Sequence, residues 1–82
     1  MLVQRTEMPV AEREDFQQAI RASGRDPLVF QAQLFEATLA GLGTRLRRVH
    51  VITRTAAAQY DASAGSGWTQ NFARHLARGF FG

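Results

Sequence analysis

The sequence predicts a single small α+β domain in which two helices pack on one face of a three-stranded antiparallel sheet. Three observations lead to this prediction: a length of 82 residues, strict alternation of polar and apolar residues in the middle of the chain, and apolar residues at helical spacing on either side. A chain of this length has room for one hydrophobic core, so residues 1–82 are expected to form one domain. Residues 1–8 precede the first clear element and are predicted to be a flexible tail.

A first helix is predicted over residues 10–23, because Phe16 and Ile20 lie one helical turn apart on its apolar side. Pro9 suits the start of a helix, and Gly24 suits its end. Acidic residues near the start complement the positive end of the helix dipole, and this explains the cluster of Glu12, Glu14 and Asp15.

Residues 26–43 fit either a helix or a strand. The helical pattern starts at Asp26 and Pro27 and continues through apolar residues at helical spacing, namely Leu28, Ala32, Phe35, Leu39 and Leu42. The strand pattern is a strict alternation that places two glutamines on one face and three apolar residues on the other, Phe30, Ala32 and Leu34. A two-stranded hairpin alone is marginal in water, so the sheet needs a third strand. We therefore predict a strand from Phe30 to Ala37.

The remaining elements follow from clearer patterns. The best strand covers residues 45–55, and a turn returns the chain through a weaker strand at residues 58–61. A closing helix is predicted from apolar residues that recur every four positions, Trp68, Phe72, Leu76 and Phe80. The predicted core draws on all these elements and consists mainly of Phe16, Ile20, Phe30, Leu34, Val49, Val51, Tyr60, Phe72 and Leu76.

Positive charge is concentrated in the second half of the chain. The net charge is +3, all ten basic residues are arginine, and residues 42–82 carry six of them against one acidic residue, Asp61. A GC-rich coding bias would also produce arginine without lysine. Guanidinium groups suit phosphate, so one hypothesis is a non-enzymatic module that binds nucleic acid weakly near the start of the last helix. The residues of this predicted site are Arg45, Arg47, Arg48, Thr69, Gln70, Asn71 and Arg74.

The order helix, strand, strand, strand, helix resembles the αβββα module of double-stranded-RNA-binding domains. The likeness is best over residues 47–77. That family enters its last helix with Gly-x-Gly-x-Ser-Lys-Lys-x-Ala-Lys, where the lysines grip RNA phosphates, and Thr69, Ala73 and Arg74 match the serine, alanine and final lysine. The resemblance implies the same fold and a contact with duplex RNA at this helix start.

The chain departs from that family at two places. Gln70 and Asn71 replace the paired lysines, so these positions add no charge. Residues 39–45 replace the family's Gly-Pro-x-His loop. The chain also resembles short bacterial proteins of unknown function that end in a Trp-x-x-x-Phe helix followed by Phe-Gly.

A second hypothesis is a protein-interaction or homodimerisation module. A free edge of the sheet can pair with another strand, and an exposed aromatic surface can dock on a partner. The residues of this alternative site are Trp68, Phe80 and Phe81.

Several kinds of chemistry are not expected. The chain contains no cysteine, which excludes disulfides and thiolate catalysis. Neither His50 nor His75 has a second ligand at metal-binding spacing, so no metal, cofactor, small-molecule substrate or enzymatic activity is predicted. No stretch reaches the length of a membrane span and no signal peptide is evident, so we predict a cytoplasmic protein without a membrane partner.

Overall fold

The computed structural model describes residues 2–39, 44–63 and 67–82. Within these ranges the chain forms four strands, two α-helices and a one-turn 3₁₀ helix. In chain order the elements are β1 (Leu2–Thr6), α1 (Val10–Ala22), the 3₁₀ helix (Pro27–Val29), β2 (Gln31–Leu39), β3 (Thr44–Ile52), β4 (Ala57–Asp61) and α2 (Trp68–Ala77). The four strands form one antiparallel sheet in the order β1-β2-β3-β4.

The predicted α+β class with two helices and an antiparallel sheet is confirmed, but the predicted number of strands is wrong. The additional strand is β1, which lies in the segment predicted to be a flexible tail. It pairs along β2, with Val3 opposite Ala37 and Thr6 opposite Leu34. Its sequence lacks the alternation of a half-buried strand, because polar Gln4 and Thr6 occupy positions on the helix side of the sheet. Backbone pairing with β2 defines this strand, and composition alone does not reveal backbone pairing.

The strand prediction for the ambiguous middle segment is confirmed by β2. Leu34 lies opposite Val49 on β3, which in turn lies opposite Tyr60 on β4, and all three side chains are buried in the same row. The helix-start signal at Asp26 is also real, although it produces only one turn. The Asp26 carboxylate accepts a hydrogen bond of 2.9 Å from the Leu28 backbone N–H.

Both α-helices pack against the same side of the sheet and end in the same way. In α1 the Arg25 N–H donates to the Ile20 carbonyl at 3.1 Å, around Gly24 with a φ of 79°. In α2 the Phe80 N–H donates to the His75 carbonyl at 3.0 Å, around Gly79 with a φ of 77°. Glycine adopts this left-handed conformation without strain, which explains why each helix stops where it does.

The core between the helices and the sheet is rich in aromatic rings. Phe72 lies at its centre, with its ring centroid 4.9 Å from that of Phe16 and 5.5 Å from that of Phe81. All nine residues of the predicted core are buried. Four further buried apolar residues complete it, Met8, Ala62, Trp68 and Phe81. In the described part of the chain, neither helix has the length and apolar character needed to cross a bilayer.

Candidate functional site

Arg47, a residue of the predicted nucleic-acid site, is engaged inside the protein. Its guanidinium lies 3.0 Å from the Glu12 carboxylate and 3.6 Å from the Glu36 carboxylate, and it donates to the Ala62 carbonyl at 3.1 Å. Only 18% of its side chain is exposed. Two carboxylates therefore balance its charge, and little of the guanidinium is accessible to a phosphate.

Arg48 and Arg74 lie in different layers of the molecule. Arg48 points to the side of the sheet away from the helices and donates to the Gln59 side chain at 3.5 Å. Arg74 lies on α2 and donates to the Asn71 side chain at 2.8 Å. The backbone of Arg45 pairs with Thr38, and its side chain lies outside the described part of the chain.

The residues of the predicted site at the start of α2 also differ in their exposure to solvent. Thr69 is buried, whereas Gln70 and Asn71 are exposed. Residues 65 and 66 of the glycine-rich loop lie outside the described residues. The described members of the predicted set thus do not share one surface, and nucleic-acid binding stays a prediction.

The aromatic residues of the alternative site lie mostly in the core. Trp68 is 1% exposed and Phe81 is 7% exposed, so both are part of the hydrophobic core. Phe80 is 48% exposed and its ring rests on that of His75, at a centroid distance of 5.1 Å. Of these three residues, only Phe80 offers a substantial surface to a partner.

Glu12 joins three elements in the interior. One carboxylate oxygen accepts a hydrogen bond of 2.9 Å from the Trp68 indole N–H of α2, and the other lies 3.0 Å from Arg47 of β3. The sequence pattern assigned Glu12 to an acidic cluster that complements the helix dipole. Glu12 lies four residues before the buried Phe16, so the two side chains share one face of the helix, and this spacing was a signal in the sequence that Glu12 points inward.

Tyr60 and His75 form a second polar contact at the edge of the core. The Tyr60 hydroxyl lies 2.7 Å from His75 Nδ1, and burial raises the pKa of Tyr60 to about 12. The ring of His75 also lies between Tyr60 and Phe80, with centroid distances of 5.4 and 5.1 Å. The pair links β4 to the last turn of α2.

An alkaline titration tests this environment directly, because Tyr60 is the only tyrosine of the chain. We expect the phenolate absorbance of the folded protein to appear with a midpoint near pH 12, against 10.0 for an unperturbed tyrosine. The folded state holds this proton more tightly than the unfolded state. The corresponding stability, about 2 to 3 kcal/mol, is therefore complete below pH 10 and lost as the pH rises to 12. A midpoint near 10 in the folded protein would show that Tyr60 is solvated.

The side of the sheet opposite the helices is open, and we call it the open face. Strand residues that alternate with the buried ones occupy it, in four rows across the strands. Its described residues are Val3, Arg5, Gln31, Gln33, Phe35, Ala37, Leu46, Arg48, His50, Ile52, Ala57, Gln59 and Asp61.

One row of the open face, which we call the central row, carries all the full charges among the described residues of that face. Across the four strands, Arg5 pairs with Phe35, Phe35 with Arg48, and Arg48 with Asp61. Hydrogen bonds from the backbone N–H and hydroxyl of Ser63, together with the charge of Arg48, hold the pKa of Asp61 below its usual value. From β1 to β4 the row therefore consists of a positive residue, an aromatic residue, a second positive residue and a negative residue.

The rest of the open face is apolar or neutral. Val3 and Leu46 remain 57% and 42% exposed although they belong to paired strands. The Phe35 and His50 rings lie 4.7 Å apart between β2 and β3, beside a depression of about 460 Å³. Six of the thirteen described residues of the face are apolar, four are glutamine or histidine, and three are charged. Such a mixture of apolar and polar side chains is typical of a non-obligate interface.

No cluster of metal-ligating side chains occurs among the residues that the structure describes. No protein-family model, curated protein or solved structure matches the chain. Of the described residues on the open face, the sequence hypotheses had named only Arg48.

Proposed function

We propose that the protein is a self-associating interaction module in which the open faces of two copies pack together. The order of charges in the central row carries this proposal. Read from β1 to β4 the row is Arg5, Phe35, Arg48 and Asp61. If a second copy of the row is laid over it in the opposite order, every charged residue faces either an opposite charge or an aromatic ring.

A two-fold axis parallel to the strands produces this reversal. Such an axis lays β1 of one copy over β4 of the other while each row stays in register. Face-to-face sheets lie about 10 Å apart, which two facing side-chain layers fill. Arg5 then meets Asp61 of the second copy, and Arg48 meets the ring of Phe35 of the second copy.

These contacts favour association for different physical reasons. An arginine over an aromatic face is attracted to the ring quadrupole and contributes about 0.5 to 2 kcal/mol. In the next row, Ala37 of β2 would lie over Leu46 of β3 from the other copy, which removes apolar surface from water. The symmetry forms every contact twice.

The size of the face sets the expected strength. Four strands at about 4.8 Å spacing and up to nine residues of length give roughly 500 Å² per copy. Specific interfaces usually bury about 800 Å² per partner. We therefore expect a weak, concentration-dependent dimer with a dissociation constant in the micromolar range.

A charge exchange between the two edge strands tests the arrangement. Arg5 and Asp61 lie three strand spacings apart in one copy, about 14 Å, so they form no direct ion pair within it. Arg5→Asp and Asp61→Arg should each weaken the dimer about tenfold or more, because each places like charges opposite one another. The double variant should restore most of the affinity, since it reverses both ends of the row. Sedimentation equilibrium over a range of concentrations measures all three.

The control is Arg13→Asp, which makes the same change on the exposed side of α1 and should leave the dimer unaffected. Circular dichroism confirms that each variant is folded. A strictly monomeric protein at millimolar concentration would overturn the proposal. So would a double variant no stronger than Asp61→Arg alone, because it would place the contact elsewhere.

A further inference from the structure

The C-termini of both α-helices lie at one end of the molecule, together with the 3₁₀ helix and the turn between β3 and β4. The Arg25 guanidinium donates to the Leu76 carbonyl at 3.5 Å, which ties the end of α1 to the end of α2. The turn residues Thr53 and Arg54 line a depression of about 390 Å³ together with Arg25 and Val29. We call this end of the molecule the basic end.

Charge at the basic end is predominantly positive. Arg25 and Arg54 line the depression, and Arg21 lies in the last turn of α1. Arg78 directly follows α2, but its side chain lies beside Asn71 and Arg74, away from this depression. The only acidic side chain among the described residues that line the depression is Asp26, whose carboxylate is hydrogen-bonded to the Leu28 N–H. Arg21 and Arg78 also offset the helix dipoles, but that role does not account for Arg54 on the turn.

The basic end also presents aliphatic side chains to solvent. Leu28 is 91% exposed and Val29 is 58% exposed. Three hydrogen bonds stabilise this turn. The Leu28 N–H donates to the Asp26 side chain, the Val29 N–H to the Asp26 carbonyl, and the Phe30 N–H to the Pro27 carbonyl. Leu28 and Val29 are therefore presented on a turn that its own backbone bonds define.

We propose that the basic end docks on the surface of an anionic lipid bilayer, with Leu28 and Val29 entering the boundary between head groups and acyl chains. Binding of this kind combines buried apolar area with attraction to acidic head groups. Nucleic acid would account for the arginines but not for two exposed aliphatic side chains beside them. A second copy is an unfavourable occupant, because two basic ends repel.

Docking on a surface needs no membrane-spanning segment, so the lack of an apolar stretch in the sequence does not bear on it. The sequence prediction of no membrane partner rested on that lack and on the lack of an evident signal peptide, and neither concerns a peripheral contact. The inference also stands without the proposed dimer. If that dimer forms, its axis parallel to the strands turns both basic ends to the same side, and two attachment points strengthen binding.

Co-sedimentation with vesicles tests the inference on the full chain. The protein should sediment with vesicles of phosphatidylcholine and phosphatidylserine, much less with phosphatidylcholine alone, and less as salt rises. Leu28→Gln should reduce the partition coefficient about tenfold, and Arg54→Gln about fivefold. The matched controls are Val10→Gln, at an aliphatic position 72% exposed at the start of α1, and Arg13→Gln on the same helix. Both should bind like the unmodified protein.

Three outcomes would overturn the inference. The first is no sedimentation with anionic vesicles at low salt. The second is an equal loss of binding in Val10→Gln and Leu28→Gln, which would deny any role to the basic end. The third is salt-sensitive binding of duplex or single-stranded RNA that Arg54→Gln weakens and Leu28→Gln leaves unchanged, without vesicle binding. Arg5→Asp, which disrupts only the proposed dimer, should weaken vesicle binding without the full effect of Leu28→Gln, so the two proposals can fail separately.

Discussion

Replacing Glu12 with alanine is expected to lower the free energy of unfolding by about 3 to 5 kcal/mol, because it removes one partner of a buried ion pair. Arg47 would keep its charge in a position where only 18% of its side chain reaches solvent, with only the more distant Glu36 carboxylate, 3.6 Å away, left to offset it. The Trp68 indole N–H would also lose its 2.9 Å hydrogen bond. An unpaired buried donor costs about 1 to 3 kcal/mol.

The size of this effect matters because small domains are marginally stable. A chain of 82 residues has a total stability of roughly 4 to 12 kcal/mol. Glu12→Ala therefore brings the protein close to unfolding at room temperature. Glu12→Gln keeps an acceptor for Trp68 but lacks the charge, so a smaller loss is expected, which leaves a folded species to measure.

Urea unfolding followed by the fluorescence of Trp68, the only tryptophan, measures both variants. Glu14→Ala is the matched control, because it removes an exposed carboxylate from the same helix. It should change stability by less than about 0.5 kcal/mol. Equal effects of Glu12→Ala and Glu14→Ala would contradict the role of the buried contacts and leave only a dipole effect.

Replacing Phe72 with alanine is expected to cost about 3 to 5 kcal/mol, through lost burial and the cavity left behind. Phe72 is fully buried, and its ring lies within 6.4 Å of five other aromatic rings. These rings come from both helices, from β4, and from the segments before β2 and after α2. They are Phe16, Phe30, Tyr60, Trp68 and Phe81. Rigid rings from so many elements cannot easily collapse into the space of a phenyl group.

Phe80→Ala provides the comparison, since it deletes the same side chain from a half-exposed position eight residues later. A loss below about 1.5 kcal/mol is expected there, because much of that ring already contacts water. Phe72→Leu should fall between the two and remain folded. Similar denaturation midpoints for Phe72→Ala and Phe80→Ala would contradict the central position of Phe72.

Strands β1 and β2 differ in how far the local sequence predicts them. The strand at β2 was predicted because the hairpin needed a neighbour, although helical periodicity fitted the same residues. Phe35 shows why helical periodicity fitted a strand: it matches the helical stripe, yet it lies on the open face beside Arg48, while its chain neighbour Leu34 points to the helix side. At β1 no local signal was present, because an edge strand with polar side chains is defined by the strand it joins.

The candidate surfaces depended even more on tertiary structure. Arg47 and Arg48 are neighbours in the chain and therefore point to opposite faces of β3, one into an ion-pair cluster and one to the open face. Arg5 and Asp61 are far apart in sequence, and only the strand order places them at the two ends of one row. Leu28 could not be recognised as exposed, because a leucine after a helix start is usually buried.

Local pattern by itself determined both α-helices, the hairpin of β3 and β4 and most of the core residues, because burial imposes periods of 3.6 and 2 on the side chains. The prediction of β2, and with it the three-stranded α+β sheet, also needed the rule that a hairpin requires a neighbouring strand. Tertiary structure alone decided the fourth strand, the interior role of Glu12, and which arginines share a surface. Those features depend on pairing between distant segments, which leaves no periodic trace in the sequence. The open face and the basic end, on which the proposed functions rest, belong to this second group.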